Sequence, residues 1–221
     1  MLLLAHRGFH ADVPENTMAA FEAAARAGVD GIETDVRLSA DGKLVIMHDR
    51  VSPQKRAVSD ITHAELERDV GNAVPLLAEI LDAFADLLWN IEIKTRAAWP
   101  PAAKVLADFQ ARRRLFVTSF RHDVVELCAA ELNTDCGLLI AERPLNIAAV
   151  MAACVALPHI RSVVWDYNIM DTAVLRAVSS AGWKNYAYGA VTAGEHEDCL
   201  QFGLAGLITD YPLQVLRPQL P

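Results

Sequence analysis

Two pairs of charged residues interrupt short apolar runs at i and i+2. Glu33 and Asp35 lie in Ile32-Glu33-Thr34-Asp35-Val36, and Glu92 and Lys94 lie in Ile91-Glu92-Ile93-Lys94. Residues two apart on a strand share a face, so each charged pair points one way while Ile32, Ile91 and Ile93 point the other. Charge on a buried face is tolerated only when it is paired or bound to a metal. Three carboxylates from two strands form an all-oxygen set suited to one hard divalent cation, Mg²⁺ or Ca²⁺, with water or substrate oxygens completing the shell. The same residues allow a plainer arrangement, in which Lys94 neutralises one or more carboxylates in a salt-bridge network. That network leaves negative charge over, which favours the cation. Zinc fits less well, because there is no His-Glu-x-x-His and no cysteine near these positions.

His6 and Arg7 close the first apolar run, and His48 closes the stretch after the Asp41-Gly42 turn. Two imidazoles beside carboxylates can divide one reaction between them, one taking a proton from a nucleophile and the other protonating a leaving oxygen. Arg7 offers a planar fork to phosphate oxygens and Lys94 a point charge. Pro14-Glu15-Asn16-Thr17 precedes a helical pattern, with Asn16 expected as its N-cap. Glu15 or Asn16 is also near enough in sequence to orient Arg7 or His6. His10, His63, His122, His159 and His196 lack such company and read as surface or structural. Tyr188 ends a late apolar run and is expected at the same rim.

These residues must be positioned by a recurring unit, a short apolar run followed by an amphipathic stretch. Runs at 2–6, 31–36, 88–94, 115–119, 136–140, 160–165, 184–188 and 206–209 predict strands. Helical patterns lie at 16–27, 76–86, 102–112, 123–131, 145–156, 171–181 and 195–202. Alternation of this kind implies parallel strands joined by crossovers, and eight strands match a closed (β/α)8 barrel of the TIM type. A doubly wound open sheet is the alternative, but Ala-His-Arg-Gly stands where a Gly-x-Gly-x-x-Gly would follow the first strand. Residues 36–49 read as a hairpin around Asp41-Gly42 that returns His48 to the C-terminal mouth. Residues 50–74 are polar and weakly periodic, a short excursion over that mouth. No linker or composition break divides residues 1–221, which predicts a single barrel domain.

The 221 residues are 53% hydrophobic, enough for one sizeable core, and carry a formal net charge of −8. A negative surface argues against nucleic acid, whose phosphates it repels. No stretch reaches the roughly 18 unbroken apolar residues of a spanning helix, so no stable membrane anchoring is expected. Cys128, Cys136, Cys154 and Cys199 are scattered without a Cys-x-x-Cys pair, which predicts buried thiols and a cytoplasmic location. A homo-oligomer is neither required nor excluded.

The motifs together resemble the glycerophosphodiester phosphodiesterase family. His6-Arg7-Gly8, Glu15-Asn16-Thr17, Ile32-Glu33-Thr34-Asp35-Val36, Asp41-Gly42 and His48-Asp49 are similar to its N-terminal signature in order and spacing. Ile91-Glu92-Ile93-Lys94, Thr118-Ser119-Phe120 and Ile208-Thr209-Asp210-Tyr211-Pro212 are similar to its later landmarks. The resemblance implies a TIM-type barrel and hydrolysis of glycerophosphodiesters, such as glycerophosphocholine or glycerophosphoethanolamine, to glycerol 3-phosphate and an alcohol. It also implies one divalent cation on Glu33, Asp35 and Glu92, acid and base roles for His6 and His48, and phosphate contacts from Arg7 and Lys94. Two departures fall on the substrate side. The excursion after His48-Asp49 is trimmed, and Tyr188-Gly189-Ala190-Val191 stands where the family has Trp-Thr-Val-Asn. The alternatives are a lysophospholipase D-like activity, with a trimmed lid admitting an acyl chain, and a catalytically silent barrel that binds metal or phosphate.

Overall fold

The computed structural model describes residues 1–216. Eight strands run parallel: β1 (Leu2–His6), β2 (Gly31–Leu38), β4 (Leu88–Ile93), β5 (Arg114–Ser119), β6 (Asp135–Ile140), β7 (Ile160–Asp166), β8 (Lys184–Tyr188) and β9 (Gly206–Thr209). Their spatial order is 1-9-8-7-6-5-4-2, and pairing of β1 with β2 closes the ring. This is a TIM barrel. An open sheet would leave β1 and β2 with unpaired edges, which closure removes. The ninth strand, β3 (Leu44–Ile46), runs antiparallel to the end of β2.

Helices α1 (Met18–Ala27), α3 (Leu77–Ala83), α4 (Trp99–Phe109), α5 (His122–Glu131), α6 (Ile147–Ala153), α7 (Thr172–Ser180) and α8 (Ala193–Gln201) connect the strands. Their apolar faces bury Ile32, Trp89, Ile91 and Ile93 on the outer face of the barrel, with Phe21 edge-on to Trp89 at 5.3 Å. Three local details differ from the sequence reading. The N-cap of α1 is Thr17, whose hydroxyl accepts from Ala20 N, not Asn16. Asn16 has φ 55° and turns its side chain into the barrel rim instead. The fourth helix starts at Trp99, ahead of Pro100 and Pro101, because prolines are tolerated in a first turn.

The stretch 50–74 is more ordered than its polarity suggested. It contains a 3-10 turn (Val58–Asp60) and helix α2 (His63–Val70), opened by a reciprocal Thr62–Glu65 capping box. Val45, Val58, Ile61, Leu66 and Val74 give it a small core of its own. The Thr-x-x-Glu spacing was the available signal. A last short helix, α9 (Pro212–Leu216), follows β9. The four cysteines are free, with Cys128 and Cys136 sulfurs 3.2 Å apart. Among the described residues no helix is long and apolar enough to cross a membrane.

Inside the barrel the character changes along the strand direction. Leu4, Leu88, Phe116, Leu139, Val164, Tyr186 and Ile208, one from each of seven strands, form an apolar plug. Two or four residues further along these strands stand His6, Asn90, Glu92, Thr118, Tyr188 and Asp210. The plug depends on two missing side chains. A Cβ on Gly137 would lie 2.6 Å from the Phe116 ring, and one on Gly206 would lie 2.5 Å from the Tyr186 ring. The two rings pack at 4.9 Å between centroids, so neither can yield freely. Gly137→Ala is therefore expected to destabilise the fold by about 1–3 kcal/mol in denaturant unfolding, as overpacking does. Combining it with Phe116→Leu should recover part of that loss. A neutral single mutant would show that the plug is not close-packed.

Candidate active site

The polar face built by this alternation converges at the C-terminal mouth. His6, Arg7, Glu33, His48, Asn90, Glu92, Lys94, Phe120 and Tyr188 line one cavity of about 180 Å³, floored by Leu139 and Ile208. Asp35 lies against it, 1% exposed. The structure thus gathers all eight residues singled out from the sequence. His48 sits just beyond β3, because the strand stops at Ile46 and Met47 N turns back to donate to Asp35 O.

Glu33, Asp35 and Glu92 each offer an oxygen within 4.8 Å of the others. Lys94 Nζ lies 2.8 Å from Glu92 Oε1 and 3.1 Å from Asp35 Oδ1. Arg7 Nε is 3.4 Å from Asp35 Oδ2, an ion pair whose geometry makes no hydrogen bond. The salt-bridge network read from the sequence is therefore present, and His6 Nε2 lies 3.7 Å from Glu33 Oε2, too far for a hydrogen bond. Glu33 Oε2 and Asn90 Oδ1 are buried acceptors without a hydrogen-bond partner, and both residues face the cavity. An unpartnered buried carboxylate oxygen beside two further carboxylates is the environment a divalent cation completes. The donor set fits such an ion.

The electrostatics follow from this crowding. Burial, with Asp35 and Glu92 adding repulsion, pushes the Glu33 carboxyl well above its ordinary range. Burial also raises Glu92. Asp35 is held below its usual value despite burial, because Lys94, Arg7 and the Asn16 amide at 2.9 Å favour its charge. Burial opposes the charges of Lys94 and Arg7, but their carboxylate neighbours outweigh it and raise both.

The two histidines are held alike. His6 Nδ1 lies 2.7 Å from Asp210 Oδ1, and His48 Nδ1 lies 2.9 Å from Asp49 Oδ1. A carboxylate only accepts, so each Nδ1 carries the proton and each Nε2 is left for other chemistry. Burial would raise Asp210, but the His6 hydrogen bond and charge, seconded by His10, bring it down to about 2. Burial lowers His48. The sequence marks Asp210 only as part of a terminal landmark, and its pairing with His6 depends on β9 lying beside β1. His10, read as surface or structural, has Nε2 3.0 Å from the same Asp210 oxygen. Of the two neighbours expected to orient the site, Glu15 chelates the Arg7 guanidinium through both oxygens at 2.9 and 3.0 Å. Arg7 and Asn16 both adopt positive φ, 54° and 55°, and Asn16 N donates to Arg7 O at 2.9 Å. Two non-glycine residues in that region mark a turn held by its surroundings.

A model of the glycerophosphoryl diester phosphodiesterase family matches residues 6–214. The chain belongs to this family. A glycerophosphodiester phosphodiesterase of Bacillus altitudinis is 37% identical, over 97% of this chain and 96% of its own. The crystal structure of a glycerophosphodiester phosphodiesterase from Thermotoga maritima superposes with a TM-score of 0.85 at 27% identity, covering 99% of this chain and 98% of its own. An Oleispira antarctica phosphodiesterase, solved with its product sn-glycerol-3-phosphate, shares the fold at a TM-score of 0.85 and 21% identity, over 98% and 95% of the two chains.

Within this member of the glycerophosphoryl diester phosphodiesterase family, the raised Glu33 carboxyl has a measurable consequence. The folded state holds the Glu33 proton more tightly than the unfolded chain. Its contribution to stability is therefore full below the unfolded pKa and is lost as pH rises through the folded one. Metal-stripped protein should lose Tm over that rise, and Glu33→Gln should flatten this part of the profile. A wild-type and a Glu33→Gln profile of the same shape would show that Glu33 is not buried in competition with its proton.

Proposed function

We propose that this chain hydrolyses glycerophosphodiesters to glycerol 3-phosphate and an alcohol, by acid–base catalysis between His48 and His6 at a divalent cation site. The observation that carries the reading is the pair of imidazoles in one cavity, each anchored through Nδ1 on a carboxylate, beside a carboxylate cluster with a free oxygen. Glu33, Asp35 and Glu92 would hold one Mg²⁺ or Ca²⁺. Bound there, the ion supplies Lewis-acid neutralisation of charge on the phosphoryl oxygens.

Arg7 and Lys94 add fixed positive charge where that charge grows. Glu15 holds the Arg7 fork in place, while Asp35 and Glu92 hold the Lys94 ammonium at the cavity wall. His48, whose burial favours the neutral imidazole, takes the proton of the attacking oxygen through Nε2. His6, entering the step as the imidazolium with Nδ1–H held by Asp210, gives its second proton from Nε2 to the departing alkoxide oxygen, and the new P–O bond forms as the old one breaks. Tyr188, edge-on to Phe120 at 6.0 Å, forms the wall against which the alcohol part rests.

The test is release of glycerol 3-phosphate from glycerophosphocholine and glycerophosphoethanolamine by EDTA-stripped protein, with Mg²⁺ or Ca²⁺ titrated back. Activity should depend on the cation, and His6→Ala or His48→Ala should lower kcat by about 10²–10⁴-fold while circular dichroism stays unchanged. Full turnover in either variant would remove the histidines from the mechanism. Cleavage of lysophosphatidylcholine in preference to both diesters would move the substrate to lysophospholipids.

A further inference from the structure

The two histidines differ in what fixes them to the barrel. His6 belongs to β1, and its carboxylate partner Asp210 follows β9, the strand beside it. His48 lies beyond the end of β3, and its ring partner is the next residue, Asp49, which is 69% exposed. That ring bond sets the tautomer but not the position, because Asp49 moves with His48. Position must come from elsewhere.

Met47 N, donating to Asp35 O, fixes the residue before His48, and Arg37 grips His48 itself. Arg37 continues the β2 face that carries Glu33 and Asp35, each two residues apart. Its Nε and Nη2 both donate to the His48 carbonyl oxygen, at 2.9 and 2.5 Å. Among the described residues no other hydrogen bond reaches the His48 main chain. The rigid strand that supplies two of the carboxylates is thus tied directly to the backbone of the second histidine. Arg37 does not line the catalytic cavity; it fronts a neighbouring one of about 510 Å³, with Arg50, Ser39 and Thr95.

We infer that Arg37 is a positioning residue, whose two-pronged grip on the His48 carbonyl sets the distance between the His48 imidazole and the carboxylate cluster. The inference rests on the proposed function, since it assigns the device by which that site is assembled. Guanidinium is needed because two parallel donors fix a carbonyl in direction as well as distance, which one ammonium cannot do.

Kinetics of Arg37→Ala and Arg37→Lys on glycerophosphocholine test it. Both should lose kcat by about 10–100-fold, the scale of a small displacement of a catalytic group. KM should stay within about twofold, because ground-state binding is untouched. The 510 Å³ cavity gives a small cation access to the vacated position. Sub-denaturing guanidinium chloride should therefore raise kcat of Arg37→Ala, while equal sodium chloride should not. A raised KM with intact kcat would make Arg37 a substrate ligand and overturn the inference. Wild-type kcat in Arg37→Lys would make it a mere charge and overturn it as well. If Arg37→Ala fails to fold, Arg37→Lys alone decides between these outcomes. An inactive wild type would defeat the functional reading itself, a result distinct from either.

Discussion

Three carboxylates gathered inside the mouth of a closed barrel set the terms for everything around them. Glu33, Asp35 and Glu92 are each at most 7% exposed, and two cations, Lys94 and Arg7, reach them. Removing one partner from a buried pair typically costs about 3–5 kcal/mol, because the other charge stays behind without compensation. The cluster is therefore stable only while strands β2 and β4, the turn after β1 and the Asn16 amide stay in register. Glu33 Oε2, with no hydrogen bond and only His6 Nε2 near it at 3.7 Å, is where the arrangement stops being self-sufficient.

The apolar plug below the cluster and the helix-packed shell outside it provide that register. Parallel pairing aligns Asp35 with Glu92 across β2 and β4 and His6 with Glu33 across β1 and β2. Phe116 and Tyr186 fill the interior through room left by Gly137 and Gly206, so the polar residues are carried on a floor that cannot collapse. The strained backbone at Arg7 and Asn16 is borne by the same rigidity. A looser scaffold would relax both residues out of positive φ and take the Arg7 fork and the Asn16 amide away from Asp35.

The histidines show how one requirement, an imidazole with a defined tautomer, is met in two mechanical settings. His6 rides on a barrel strand, with its Nδ1 held by Asp210. His48 lies on the return from a hairpin and depends on attachment to β2. Burial acts on the two halves of the site in opposite senses, raising the Glu33 carboxyl and lowering the His48 imidazole.

Much of this was legible in the chain. The period-two placement of Glu33 with Asp35 and of Glu92 with Lys94 depends only on strand geometry, and eight apolar runs separated by helical patterns specify a parallel barrel. The motifs around His6 and His48 also placed both at the mouth. What the sequence could not assign were partners set by distance across the fold. Asp210 meets His6 only because the last strand closes beside the first, 204 residues away in the chain. Asn16 followed helix-cap chemistry in the sequence reading, but tertiary packing turned it to Asp35 and Thr34 and left the cap to Thr17. Helix α2 was hidden because its few apolar residues face a small satellite core, too short to print a period. Side-chain identity and spacing thus determine which face each group occupies. Ring closure decides which groups meet there, because contact between chain ends is a property of the closed barrel and not of any local segment.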